Sequence, residues 1–454
     1  MTIDGIAAGG DGVGRVDGMA VFVPRTAPGD VAQVAYAVHA RHGRGRMLQL
    51  LEASPQRVAP RCHHYDTDRC GGCQLQHLDT ATQQRARQQI VQDTLRRVGR
   101  REIALPPITA DLEWHYRGRL TLALRRKGSG WVGGLHPHDD AQRVFALETC
   151  EIAHPLLVET WHTVRSVIAD RRLPLPDTDA LRVSLRLEED TTAPPDAPRH
   201  VVVVVQGGPV WPARDAWTAR VHELAPQVRG VWWEREDGGR EGQAGGGSTI
   251  TDAIADATAS ESLPDASEAL AFAQVNARVA DALRAHVFAA VMQFDPRRVV
   301  DGYAGTGLLT ERLAREGRDV VAVEADTVGA RRAAERLQAA GADVASRARV
   351  VCDLMEQALP QLTVAAHTPD VVVLNPPRRG VDARVTAWLE DAVMREARGV
   401  VYVSCDPATL ARDLSRMPSW DIVSVQCFDM FPQTAHVETV CVLQRSEVRE
   451  GEAA

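Results

Sequence analysis

A chain of 454 residues exceeds what one hydrophobic core usually organises, so two or three domains are expected. Apolar residues at 44% and charged residues at 25% are ordinary for a globular protein; no apolar run is long enough to span a bilayer as a helix, and no secretory leader is recognisable. The net charge of −8 does not exclude a nucleic-acid partner, because residues 1–130 carry 19 basic and 12 acidic side chains, a surplus of +7, while residues 131–454 carry 33 and 48, or −15.

The first residues alternate short β-rich runs, Met19 to Pro24 and Asp30 to Ala37, with the turn clusters GGDGVGRVDG and PGD, which predicts a small β-barrel over 1–54. Residues 80–101 place Ile90, Val91, Thr94, Leu95 and Val98 at helical spacing, with Arg85, Arg87, Arg96, Arg97, Arg100 and Arg101 elsewhere. That pattern predicts a basic amphipathic helix. It falls inside a central β-rich domain, 55–235, whose strands are RLTLALRRK, LRVSLRLEE, HVVVVVQGG and GVWWERE. Residues 236–266, rich in Gly, Ser, Thr, Asp and Ala, read as a mobile linker or long hairpin loop. From 267 to 446 strand-like RRVVDGY, DVVAVEA, ARVVCD, DVVVLNPP and GVVYVSC alternate with helical segments, and HVETVCVLQR ends the series before a short tail, 447–454. Such alternation predicts a mostly parallel sheet covered by helices.

Chemistry-bearing residues gather in that last region. VVDGYAGTGLLTERLA sets Gly302, Gly305 and Gly307 in the turn after an apolar strand, where small residues let a ligand approach the backbone. Glu324 ends the next strand, placed to accept from two ribose hydroxyls. The spacing departs from the GxGxxG of dinucleotide binders, and LNPPRRG after the fourth strand suits a methyltransferase. GVVYVSC delivers Cys405 to a strand end ahead of the helix start DPATLARDL, where a helix N-terminus favours a thiolate. Glu438 lies just inside the last strand, behind FDMFPQTAHV, where a carboxylate has little structural reason to be. In the N-terminal half Cys62, Cys70 and Cys73 cluster and Cys150 follows; four thiolates satisfy tetrahedral zinc or an iron–sulfur cubane, so spacing alone leaves the metal open. With four cysteines present, His63, His64 and His77 read as surface or structural histidines. Cysteines clustered in this way fit a reducing, cytoplasmic setting.

AFAQVNA, DGYAGTG, NPPRRG, VSCDPATLARDL and DMFPQTAHVE, preceded by CGGCQLQH, together resemble the uracil-5 RNA methyltransferase family over nearly the entire chain. The resemblance implies a multidomain α/β protein: an OB-like TRAM barrel that binds RNA, a central domain holding a 4Fe-4S cluster on Cys62, Cys70, Cys73 and Cys150, and a Rossmann-like class I methyltransferase domain. It implies methyl transfer from S-adenosylmethionine to carbon 5 of a uridine, in 23S rRNA or alternatively tRNA, with Cys405 as nucleophile and Glu438 as base. A non-catalytic RNA-binding member is the other alternative, motivated by Asn375 and Asp406, which stand where aspartate and asparagine are usual; Ala273 also replaces an aromatic. By position Gln274, Tyr303, Glu324, Asp353 and Asn375 would contact the cofactor. Arg41, Arg44, Arg46 and the basic helix are expected to meet RNA phosphates. A monomer without a membrane partner is expected.

Overall fold

The computed structural model describes residues 1–188, 199–244, 249–251, 274–362 and 368–446. Ala273, residues 245–248 and 252–266 of the expected linker, and the tail 447–454 lie outside them. No helix among the described residues is long and apolar enough to cross a membrane.

Strands β1 (Ile3–Ile6), β2 (Gly12–Val16), β3 (Met19–Val23), β4 (Val31–His39) and β5 (His42–Glu52) form a sheet in the order β1-β2-β3-β5-β4. A Thr2–Val31 bridge joins β1 to the far strand β4 and closes the sheet on itself. Gly12 is required by close approach, since a Cβ there would lie 2.1 Å from the Thr26 hydroxyl. The closed sheet is docked on the cysteine segment. Arg25 lies 4.0 Å over the Tyr65 ring and donates to the carbonyls of Tyr65 and Cys70, and His77 bridges the Tyr65 hydroxyl and the Thr26 carbonyl.

The cysteine segment holds α1 (His63–Asp66) and leads into α2 (Thr80–Arg97), capped by Asp79, whose carboxylate accepts from the Thr82 N–H. The central sheet follows: β6 (Arg119–Lys127), β7 (Gly130–Leu135), β8 (Phe145–Ala146), β9 (Ala180–Leu187), β10 (Val201–Gln206), β11 (Val228–Glu234), β12 (Arg240–Ala244) and β13 (Thr249–Thr251), in the order β13-β12-β11-β10-β9-β6-β7-β8. Alternation along β6 sends Leu120, Leu122 and Leu124 to one face. That face is covered by α3 (Pro155–Ala169) and α4 (Arg214–Leu224) through Leu157, Trp161, Val164 and Trp217. The two helices add to the central β-rich domain two elements that the strand patterns did not announce. Their signal was present: Pro155 at the first turn, then Leu157, Trp161 and Val164 at helical spacing.

Two expectations change. Residues 240–244 and 249–251, expected within a linker or long hairpin loop, form the antiparallel strands β12 and β13, which extend the sheet beyond β11. Glycine permits this, because a Cβ at Gly242 would meet the Trp232 ring at 2.5 Å. The basic helix α2 does not belong with the central sheet: Val91 and Leu95 enter the core of the C-terminal domain, and Ala86 and Ile90 pack with Ile6, Leu75 and Ala435. Arg87 is accordingly buried and paired with Asp429, not presented to solvent, and Val98 lies past the helix end, exposed.

The C-terminal sheet comprises β14 (Arg298–Gly302), β15 (Asp319–Glu324), β16 (Ala348–Cys352), β17 (Val371–Leu374), β18 (Gly399–Ser404), β19 (Trp420–Phe428) and β20 (Glu438–Arg445), in the order β16-β15-β14-β17-β18-β20-β19. Strands β14 to β18 are parallel and β20 is inserted antiparallel between β18 and β19. Helices α5 (Ala277–Met292), α6 (Leu308–Arg315), α7 (Thr327–Ala339), α8 (Ala342–Ser346), α9 (Met355–Leu362), α10 (Ala383–Glu390) and α11 (Pro407–Leu414) flank it. Parallel strands buried on both faces explain the near-continuous valine runs of β17 and β18. The order reverses between β14 and β17, which opens a crevice at their carboxyl ends.

Candidate active site

The crevice collects four of the five residues expected to hold a cofactor. Tyr303 follows β14, Glu324 ends β15, Asp353 follows β16 and Asn375 follows β17. Tyr303 takes a left-handed backbone, φ 62°, costly for an aromatic residue, and Gly307, φ 75°, caps α6 against Ala333. The Glu324 carboxylate is fixed from two sides, one oxygen accepting from the Gly305 N–H at 2.7 Å and the other from the Asp326 N–H at 2.8 Å. It therefore bridges the glycine turn and the second strand. Asn375 is exposed at the switch point, its N–H donating to the Gly302 carbonyl. The fifth residue, Gln274, lies ahead of α5 in a segment tied to the central domain by the Gly118 N–H donating to the Val275 carbonyl at 2.9 Å.

Two buried polar side chains, Asn276 and Asp301, flank the segments that carry Gln274 and Tyr303. Asn276, 2% exposed, caps α5 through Oδ1, while its Nδ2 is a buried donor with no protein partner. Buried polar atoms are rarely left unpaired, and this one is two residues from Gln274. Asp301, fully buried below the glycine turn, accepts from the Thr310 hydroxyl, and burial raises its carboxyl to about 6.

Cys405 and Glu438 meet at the far end of the same edge. Ser404 of β18 pairs with Thr439 of β20, so one step further along both strands sets Cys405 opposite Glu438. Glu438 is 5% exposed, and burial pushes its carboxyl to about 7 against the pull of Arg378. The half-buried Cys405 thiol is also pushed up, first by burial and then by the Glu438 charge, with Arg378 opposing. The sequence expectation was a lowering by the α11 N-terminus; burial and the Glu438 carboxylate act on this thiol in the opposite direction. Asp406 caps α11, accepting from the Ala408 and Thr409 N–H groups at 2.8 and 3.0 Å, so the departure from asparagine keeps a capping side chain.

Sequence reasoning did not single out Arg378. It is exposed, and its charge acts on Cys405, Glu438 and His436 together. Its place in NPPRRG was visible; its convergence with two distant strands was not.

Cys62, Cys70, Cys73 and Cys150 line one cavity of about 170 Å³, together with Tyr65, Leu120, Leu135 and Ile152. Burial raises all four thiols, Cys70 to about 11, and the sulfurs of Cys62, Cys70 and Cys150 each push Cys73 up further. His64 holds the turn before Cys150: its Nδ1 meets Asp68 at 2.6 Å and its Nε2 accepts from the Glu148 N–H at 3.0 Å. His64 and His77 are buried structural groups, as expected, and His63 is exposed. Among the described residues the group of ligand-type side chains whose donor atoms fall within 4.8 Å of one another is His63, His64 and Asp68. The four sulfurs are spread more widely, whereas a tetrahedral zinc with sulfurs at about 2.3 Å would need edges of roughly 3.8 Å.

Residues 266–446 match the family model described as tRNA (Uracil-5-)-methyltransferase. The chain is 31% identical to the 23S rRNA (uracil(1939)-C(5))-methyltransferase RlmD of Thiobacillus denitrificans, over 96% of this chain and 97% of that one. It is 32% identical to an uncharacterised RNA methyltransferase of Gloeobacter violaceus, over 98% and 96%. Its fold is similar to the crystal structure of the Pyrococcus abyssi tRNA (uracil-54, C5)-methyltransferase in complex with S-adenosyl-L-homocysteine, with TM-score 0.67, 21% identity and coverage of 98% and 99%.

Proposed function

This chain belongs to the uracil-5 RNA methyltransferase family, S-adenosylmethionine-dependent enzymes that methylate carbon 5 of uridine in RNA, and from that membership we propose that Cys405 is its nucleophile, Glu438 its base and a uridine of 23S rRNA its target. The observation that carries the reading is the β18–β20 register, which sets a half-buried thiol against a buried carboxyl with an exposed arginine beside both. The Cys405 thiolate adds to carbon 6 of uracil, and the displaced π pair makes carbon 5 nucleophilic. S-adenosylmethionine, when bound, supplies an electrophilic methyl group. Glu438 then takes the proton from carbon 5; the C–H pair re-forms the double bond to carbon 6, and the carbon–sulfur bond breaks to return the thiolate. A carboxyl raised by burial to about 7 is matched to this duty. Gln274, Tyr303, Glu324, Asp353 and Asn375 hold the cofactor, and Asn276 supplies a further donor. A non-catalytic member would have no use for a buried carboxyl opposite a thiol.

Four thiols lining one cavity fit a 4Fe-4S cluster. The cluster's positive irons would stabilise the thiolates that burial disfavours. The closed five-stranded sheet, with Arg41, Arg44 and Arg46 exposed on and beside β5, fits an OB-like, TRAM-type RNA contact. Ribosomal RNA is favoured because the RlmD relative aligns over almost both whole chains at 31% identity. A cytoplasmic place follows from an RNA substrate and free thiols.

Incubation with labelled RNA and labelled methyl donor tests the assignment. Cys405→Ala should form no adduct and no product, whereas Glu438→Gln should accumulate a methylated, covalently linked protein–RNA species on denaturing gels. Normal turnover by Cys405→Ala would falsify covalent catalysis through this residue. Mapping 5-methyluridine in a deletion strain identifies the RNA.

A further inference from the structure

The loop that delivers Glu438, residues 429–437, is fastened to α2 and the cysteine segment of the N-terminal half. Gln83 of α2 pairs with Gln433 twice: its Nε2 donates to Gln433 Oε1 at 2.9 Å, and its Oε1 accepts from the Gln433 N–H at 3.1 Å. Arg87, four residues later and on the same helix face, donates to the Thr434 carbonyl at 2.7 Å and pairs with the Asp429 carboxylate. The Leu75 N–H donates to the Gln433 carbonyl at 3.0 Å, and the Tyr116 hydroxyl to the Pro432 carbonyl at 3.0 Å. Gln83, Arg87, Asp429, Gln433 and Thr434 are all buried, and Gln433 holds a left-handed backbone, φ 71°, that a non-glycine residue adopts only when its surroundings over-determine it.

Gln83 and Gln433 are 350 residues apart in sequence, so these bonds are not the local satisfaction of a tight turn. Although Arg87 Nε and Asp429 Oδ1 have no hydrogen-bond partner, the other polar groups of this buried network are paired, and a slip of the loop would leave several more unpaired at once. The arrangement specified here is the path of the chain into β20, whose first residue is Glu438. The nucleophile is placed by β18 and the Asp406 cap of α11; α11 packs on Val91 and Leu95, farther along α2 than Gln83 and Arg87. We propose that Gln83 and Arg87 are positioning residues for the base: by clamping residues 429–434 they hold the Glu438 carboxylate where it can take the carbon 5 proton. The inference rests on the reading of Glu438 as base.

The consequence is specific to one step. Thiolate addition and methyl transfer depend on Cys405 and the cofactor crevice. Proton removal and the accompanying return of the carbon–sulfur pair to Cys405 depend on where Glu438 stands. Loosening the clamp should therefore slow release of methylated RNA while leaving adduct formation and cofactor affinity intact, which general destabilisation would not do.

The test compares Gln83→Met, which preserves side-chain length and helix packing without donor or acceptor, with Glu438→Gln and the parent enzyme in the same labelled-RNA gels. Gln83→Met should lower kcat at least tenfold, leave the KM for S-adenosylmethionine within twofold, and accumulate methylated adduct during turnover. Gln83→Glu, which restores an acceptor for the Gln433 N–H, should recover part of the rate. Gln433→Gly, which keeps the left-handed backbone and leaves α2 untouched, should give the same adduct and serves if Gln83→Met folds poorly. Adduct with Glu438→Gln but parent-like turnover in both clamp variants, or a slower rate without adduct, overturns the clamp alone. Absence of adduct with Glu438→Gln overturns the base assignment, and the clamp with it.

Discussion

Glu438→Gln should stabilise the protein, and do so more at high pH than at low. An ordinary glutamate ionises near 4.5, whereas burial raises this one to about 7. The folded state therefore binds the proton more tightly than the unfolded chain does. For such a group stability is fully present below 4.5 and is lost as pH rises through 7. At pH 8 ionisation in place costs about 3 kcal/mol relative to the unfolded chain, and at pH 5 only about 1 kcal/mol is lost. Glutamine has nearly the same shape and cannot ionise, so the variant should gain about 3 kcal/mol over the parent at pH 8 and about 1 kcal/mol at pH 5. The site is 5% exposed, so solvent screening takes little from this figure. Denaturant unfolding of both proteins at the two pH values measures the difference, and thermal midpoints should separate by several degrees at pH 8. A gain that is equal at both pH values, or larger at pH 5, would refute the burial argument and with it the claim that function here is maintained against stability.

Arg378→Ala removes the cation that holds down both Cys405 and Glu438; the acid limb of the kcat–pH profile should move upward and activity at pH 7 fall about tenfold, with Arg378→Lys partly restoring both, and an unmoved limb would exclude the electrostatic role. Anaerobically purified protein should be brown with about four irons per chain, and Cys150→Ser should lose them as completely as Cys70→Ser; full iron content in either variant would displace that ligand. Replacing Arg41, Arg44 and Arg46 together with Ala should weaken RNA binding and flatten its log–log salt dependence by about 2, whereas an unchanged slope would remove β5 from the RNA contact. Point substitutions are needed there because deleting 1–54 would also strip Arg25 from Tyr65 and Cys70 and expose Leu75 and Leu78.

Local signals carried the strands of the C-terminal sheet and the cofactor crevice. A glycine turn with left-handed Gly305 and Gly307 declares itself in sequence because backbone geometry demands those residues, and the valine runs of β17 and β18 follow from burial on both faces. The helices α3 and α4 were obscured beside stronger β patterns, and the β12–β13 pair was hidden in a composition typical of linkers. Motif order likewise identified Cys405, Glu438 and the four cysteines as candidates.

What the linear chain determined, then, was which side chains are candidates for the chemistry and what local backbone presents each one. Their electrostatics and mutual support were decided by packing. Burial, and then the Glu438 carboxylate that the register sets opposite it, push the Cys405 thiol up. Arg87, one of a run of arginines, becomes the partner of Asp429 because Val91 and Leu95 draw α2 into the core of a domain that begins some 170 residues later in sequence. Pairing and burial depend on residues hundreds of positions apart, and a local pattern contains no term for either.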